Sequence, residues 1–109
     1  MKKLLVFCIA TMAAAALTVR ADDAKTLYGN SCAKCHGDDG KGQTKMGQKL
    51  NCKDYSDAKV QDALTDDAGV KAIKEGLKDA SGKSLMKASD SISDSDAKAL
   101  VAYMRTFKK

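Results

Sequence analysis

The sequence predicts an all-α protein of three to five short helices, and three observations carry that expectation. No run of β-branched residues alternates with polar ones as a half-buried strand requires. Apolar residues recur at helical spacing in the second half of the chain, at Val70, Ile73 and Leu77 and again at Ala97, Leu100, Val101 and Met104. Capping residues stand in front of the segments that read as helical, with Ser56, Thr65 and Ser93 as the candidates.

Residues 1–21 read as a secretory signal peptide. Lys2 and Lys3 form a short basic region, 4–19 is apolar, and Val19-Arg20-Ala21 offers compact residues at the two positions a signal peptidase reads. As a helix, residues 4–19 would span about 24 Å against a hydrocarbon core of about 30 Å, so a retained membrane tether is the lesser reading. Cys8 follows the bulky Phe7 inside the apolar run and is expected to leave with the peptide. Cleavage after Ala21 removes three basic residues, lowering their number from 19 to 16 against 14 acidic residues, so the formal charge falls from +5 to +2. No basic tract interleaved with aromatics remains, which argues against a nucleic-acid partner.

One domain, residues 22–109, follows. Asp22 and Asp23 precede an expected helix over 24–35, acidic residues at its positive end. The cluster Gly37-Asp38-Asp39-Gly40-Lys41-Gly42 is loop, and the chain reads as irregular from there to Lys53. Ser56 resembles a cap for a helix over 57–64, and Thr65 a cap for the segment carrying Val70, Ile73 and Leu77, which Gly76 ends or weakens. Residues 78–92, rich in Ser, Lys, Asp and Gly, read as a loop with Leu85 and Met86 as its apolar pair. Ser93 and Asp96 form a capping box for the last helix, whose C-terminal end carries Arg105, Lys108 and Lys109.

At the C-terminal turn of the first helix stands Cys32-Ala33-Lys34-Cys35-His36, the Cys-x-x-Cys-His attachment signature of a c-type haem. A separation of three positions puts both thiols on one face of a helical turn, where they form thioethers with the two vinyl groups, and the adjacent imidazole reaches the iron. Two other readings are weaker. A zinc site from Cys32, Cys35 and Cys52 is disfavoured because Cys35 and His36 are neighbours and hardly chelate one tetrahedral ion together. A thioredoxin-like pair belongs beside a βαβ pattern that is lacking here. Export suits haem attachment outside the cytoplasmic membrane and places the mature chain in the bacterial periplasm. With five aromatic residues in the whole chain, one of them Phe7, an 88-residue domain has a thin core. A domain of that size usually needs a staple, and one covalently attached haem (haem c, through Cys32 and Cys35), with the short helices wrapped around it, would provide it.

On these residues the chain resembles a small, single-haem, class I cytochrome c of the short bacterial type, over essentially all of residues 22–109. In that family an N-terminal helix carrying the haem motif crosses a C-terminal helix. A small residue and an aromatic on the first meet a Leu-x-x-aromatic pair on the second, matched here by Ala24 and Tyr28 and by Leu100 and Tyr103. The Gly-x-Gly-x-Thr-x-x-Gly-x-x-Leu pattern within residues 37–50 is also familial.

The resemblance implies a cytochrome c fold, His36 as one axial ligand and a methionine as the other. Met86 lies 50 residues after His36, in a loop before the last helix where the family places its ligand, and is the first candidate. Met46, ten residues from His36, and a site without methionine are the alternatives; Met104 continues the Leu100 and Val101 stripe and reads as core. Lys87 stands where the family commonly has proline after the ligand.

The function implied is that of a diffusible electron carrier rather than an enzyme, exchanging single electrons transiently with redox protein donors and acceptors, membrane-bound complexes included. Lys34, Lys45, Lys83 and Lys87 are candidates to ring the haem edge, with plain solvated surface as the equal reading. A gas-binding or peroxide-reducing haem protein with an open distal position is the alternative, and a haem module docked permanently on a larger enzyme is a third. Cys52 is left over; it is expected to be buried, in a monomer, with a disulfide-linked dimer as the other outcome.

Overall fold

The computed structural model describes residues 21–89 and 91–109, so the expected signal peptide lies, apart from Ala21, outside the described residues. Helix α1 (Ala21–Ser31) opens them. The single helix expected over 24–35 is divided: Cys32 departs from helical geometry at φ −121°, and α2 (Ala33–His36) resumes after it. The bonds from Cys32 N–H to the Tyr28 carbonyl (2.8 Å) and from His36 N–H to the Cys32 carbonyl (3.0 Å) keep the two pieces in line.

Helix α3 (Lys45–Lys49) lies in the stretch expected to be irregular. Its start is set by Thr44, whose hydroxyl accepts from the Gly47 N–H at 2.9 Å, a capping interaction sufficient to nucleate one turn where no apolar periodicity announces it. Helix α4 (Ala58–Ala63) is capped by Asp57 and not by Ser56. The Asp54 carboxylate takes both the Ser56 hydroxyl (2.6 Å) and the Ser56 N–H (2.9 Å), so Ser56 belongs to the preceding turn and the cap moves on by one residue.

Thr65 caps α5 (Asp66–Glu75) as expected, accepting from the Ala68 N–H at 3.1 Å. Gly76 ends it at φ 76°. Leu77, expected on the apolar face of that helix, is instead 49% exposed and begins a strand. The left-handed glycine turns the chain off the helix axis before Leu77 is reached. In place of the expected loop, β1 (Leu77–Lys78) pairs antiparallel with β2 (Ser84–Met86), Leu77 opposite Met86 and Lys78 opposite Ser84. Helix α6 (Asp94–Arg105) closes the chain, with the Ser93 hydroxyl accepting from the Asp96 N–H at 3.1 Å. The all-α fold stands, with six helical segments among the described residues where three to five were expected.

The core forms where α1 and α5 both pack on α6. Ala97, Leu100, Val101 and Met104 are buried together with Tyr28 of α1 and Ile73 of α5, and Ala24 of α1 is buried as well. The Tyr28 ring packs at 5.1 Å from that of Tyr103 and 5.3 Å from that of Phe107, so the aromatic of the α1 pair meets the aromatic of its partner pair on α6. Arg105 does more than complement a helix end. Its guanidinium donates to the Gln61 carbonyl (2.7 Å), the Gln61 side chain (2.9 Å), the Leu64 carbonyl (2.5 Å) and the Asp66 carboxylate (2.8 Å). Gln61 in turn donates to the carbonyls of Tyr55 and Met104. This network fastens α4 and the start of α5 to α6, and it leaves an apolar hollow between those helices, α2 and the hairpin.

Candidate functional site

The hollow is a cavity of about 360 Å³. Cys32 lines it from the junction of α1 and α2, Cys35 and His36 from α2, Met86 and Leu85 from β2, Ile73 from α5, and Val101 and Met104 from α6. Residues predicted from positions 32 to 86 therefore share one enclosure. Met46 is not among its lining residues and sits 37% exposed on α3. Met104 touches the cavity but is a buried member of the α6 stripe, the core position its spacing predicts.

The backbone of the motif is held by the loop that follows it. Thr44 donates its hydroxyl to the Cys35 carbonyl at 2.7 Å, and the Gly42 N–H donates to the His36 carbonyl at 2.8 Å. Gly47 lies so close to the Cys35 carbonyl that a Cβ there would collide with it. The repeated Gly and Thr pattern thus has a role: it carries α3 against the motif and locks the cysteine and histidine carbonyls, fixing where their side chains enter the cavity.

The chemistry of these side chains fits a haem. His36 Nδ1 is buried without a hydrogen-bond partner, and burial holds the imidazole below the ordinary value of 6.5. The neutral ring, the form that binds metals, is therefore the one present near pH 7. Cys32, Cys35 and Cys52 are free thiols. Burial, and then the proximity of Cys35, pushes the Cys32 thiol up to about 11, so it stays protonated at neutral pH. No group of three or more His, Cys, Asp or Glu that could hold a metal ion occurs among the described residues, which removes support from the zinc reading. Cys52, expected to be buried, is half-buried on the cavity wall because its segment forms the rim.

Tyr55 was not singled out by any sequence pattern, yet its ring lies 5.8 Å from the His36 ring and its hydroxyl is raised by burial. The scarcity of aromatics was the only available signal. A larger hollow of about 910 Å³ runs between α5 and α6, but it is an open groove whose rim carries the Lys74–Asp94 and Arg105–Asp66 ion pairs and none of the motif residues.

The comparisons agree with this geometry. The profile of the family described as Cytochrome c matches residues 21–108. Among solved structures, the KustC0563 c-type cytochrome is 31% identical, covers 79% of this chain and 98% of its own, and superposes with a TM-score of 0.70. A Tyr-to-Phe mutant of Kustc0563 gives 30% identity, 79% and 99% coverage and a TM-score of 0.68. No curated protein matches at a significant level. The chain belongs to the cytochrome c family. It is a small cytochrome c, its cofactor is covalently attached haem c, and electron transfer through that haem is the activity the family implies. No helix among the described residues is long and apolar enough to cross a membrane.

Proposed function

We propose that the chain is an exported, periplasmic carrier of single electrons, with its haem held by thioethers at Cys32 and Cys35 and ligated axially by His36 and Met86. One observation carries this reading: the motif at the end of α1 and α2 and the methionine of β2 line the same apolar cavity. The haem supplies a one-electron Fe(III)/Fe(II) couple. What the chain supplies is its setting. His36 presents a neutral imidazole from a backbone locked by Gly42 and Thr44. Met86 presents a soft thioether, which favours the reduced state and raises the potential. Ile73, Leu85 and Val101 give the enclosure an apolar lining, and with His36 and Met86 both engaged the bound group would exchange electrons without taking up an outside ligand.

Partners are redox proteins met transiently, membrane-bound complexes among them, and the protein acts as a monomer. Lys34, Lys45, Lys83 and Lys87 are all exposed and free to meet an acidic surface. Carbon monoxide tests the reading cheaply. The reduced holoprotein with a firm methionine ligand resists carbon monoxide at neutral pH; prompt, stoichiometric binding would instead favour a sensor or a peroxide-reducing protein with an open position.

A further inference from the structure

Met86 reaches the cavity from an unusual support. It ends a hairpin of only two and three residues per strand, a size that has little stability of its own. Lys87 follows it, so no ring stiffens the backbone there. Something else must fix its approach, and the contacts identify what does.

Gly76 is the hinge from α5 into the hairpin, at φ 76°. Its Cα faces the backbone of residues 86–88 at such short range that a Cβ would collide with the Met86 carbonyl oxygen and with the Ala88 nitrogen at 2.7 Å, and would press on the Lys87 carbonyl carbon at 3.1 Å. All three are main-chain atoms, which cannot swing aside as a flexible side chain would. At the far end of the hairpin the Asp79 carboxylate accepts from the Ser81 N–H (2.9 Å), the Ser81 hydroxyl (2.6 Å) and the Lys83 N–H (2.9 Å). Beyond Met86, the Ser89 N–H returns to the Ile73 carbonyl of α5 at 2.9 Å. The segment bearing Met86 is thereby pressed onto the end of α5 from both sides.

We propose that Gly76 is a positioning residue for the axial methionine. Its missing Cβ lets the Met86 backbone seat directly against the end of α5, and the Asp79 turn holds the hairpin in that seat. The inference rests on Met86 being the ligand and adds the device that keeps it on.

Gly82 provides the internal control. It has a comparable left-handed φ of 86° in the same hairpin, but a Cβ there meets nothing within 4 Å. Gly76→Ala and Gly82→Ala each place a side chain at a positive φ, and only the first drives main-chain atoms away from the cavity. The measurement is the ferric long-wavelength band of an iron–methionine sulfur bond, together with titration of the ferric holoprotein with imidazole. Imidazole binds only when methionine is off, so its apparent affinity reports the population of that open state. Gly76→Ala is expected to weaken the band and to raise the apparent imidazole affinity about tenfold, while Gly82→Ala stays within about twofold of the parent protein. Equal effects of the two variants overturn the proposal. If Gly76→Ala yields no holoprotein, Asp79→Ala takes its place: a rise in imidazole affinity supports the hairpin seat, and an unchanged affinity with a loosened turn overturns it. Met86→Ala, measured beside them, separates the two levels. Loss of the band there with no difference between the glycine variants defeats only the role of Gly76, whereas a band that survives Met86→Ala defeats the ligand assignment and this inference with it.

Discussion

Tyr28 is among the most deeply buried side chains of the described residues, and its hydroxyl still needs an acceptor. The Gly37 carbonyl provides one at 2.6 Å, joining the helix-crossing core to the end of the haem motif. Burial raises its ionisation far above the ordinary 10.0. Because the folded state holds this proton more tightly than the unfolded chain, the associated stability is complete below 10.0 and is lost as pH rises beyond it. Tyr28→Phe is expected to cost about 1–2 kcal/mol near neutrality, since the buried Gly37 carbonyl loses a donor. It should also flatten part of the alkaline decline, leaving the share due to Tyr55 and Cys52, which burial raises as well. Urea unfolding of the holoprotein at neutral and alkaline pH measures both; an undiminished alkaline decline in the variant would locate the effect elsewhere.

Among the elements, those with local signals were legible and those made by distant partners were not. Thr65, Ser93 and the stripe from Ala97 to Met104 depend on neighbours three or four positions away, and they fell where expected. The cap of α4 slipped by one residue because the Asp54 carboxylate competes for Ser56. The difference is measurable: Asp57→Ala and Thr65→Ala should each destabilise the protein by about 1 kcal/mol. Matched losses support these capping assignments, and a silent Asp57→Ala would return the role to Ser56.

The hairpin was hidden for a different reason. Strands of two and three residues are too short to show alternation, and their pairing joins residues either side of a five-residue turn. The motif residues and Met86 were legible as site candidates, the first by their signature and the last by family position. The locks behind them were not, because Gly47 and Gly76 matter only through main-chain atoms that the fold brings against them.

At the scale of the whole molecule, a thin core surrounds a cavity that its own side chains do not fill. Among the described residues Tyr28 and Leu100 are the largest fully buried side chains, and the apolar faces of α5, α6 and the hairpin turn toward the hollow that Cys32, Cys35, His36 and Met86 share. Folding and redox function therefore meet at one place, and the methionine decides which kind of haem protein results: a closed site carries electrons, and an open one binds ligands. The optical spectrum of the purified, matured holoprotein in both oxidation states tests this most directly. A low-spin ferrous spectrum with the weak long-wavelength ferric band of an iron–sulfur bond is the predicted result. A high-spin haem without that band would contradict it.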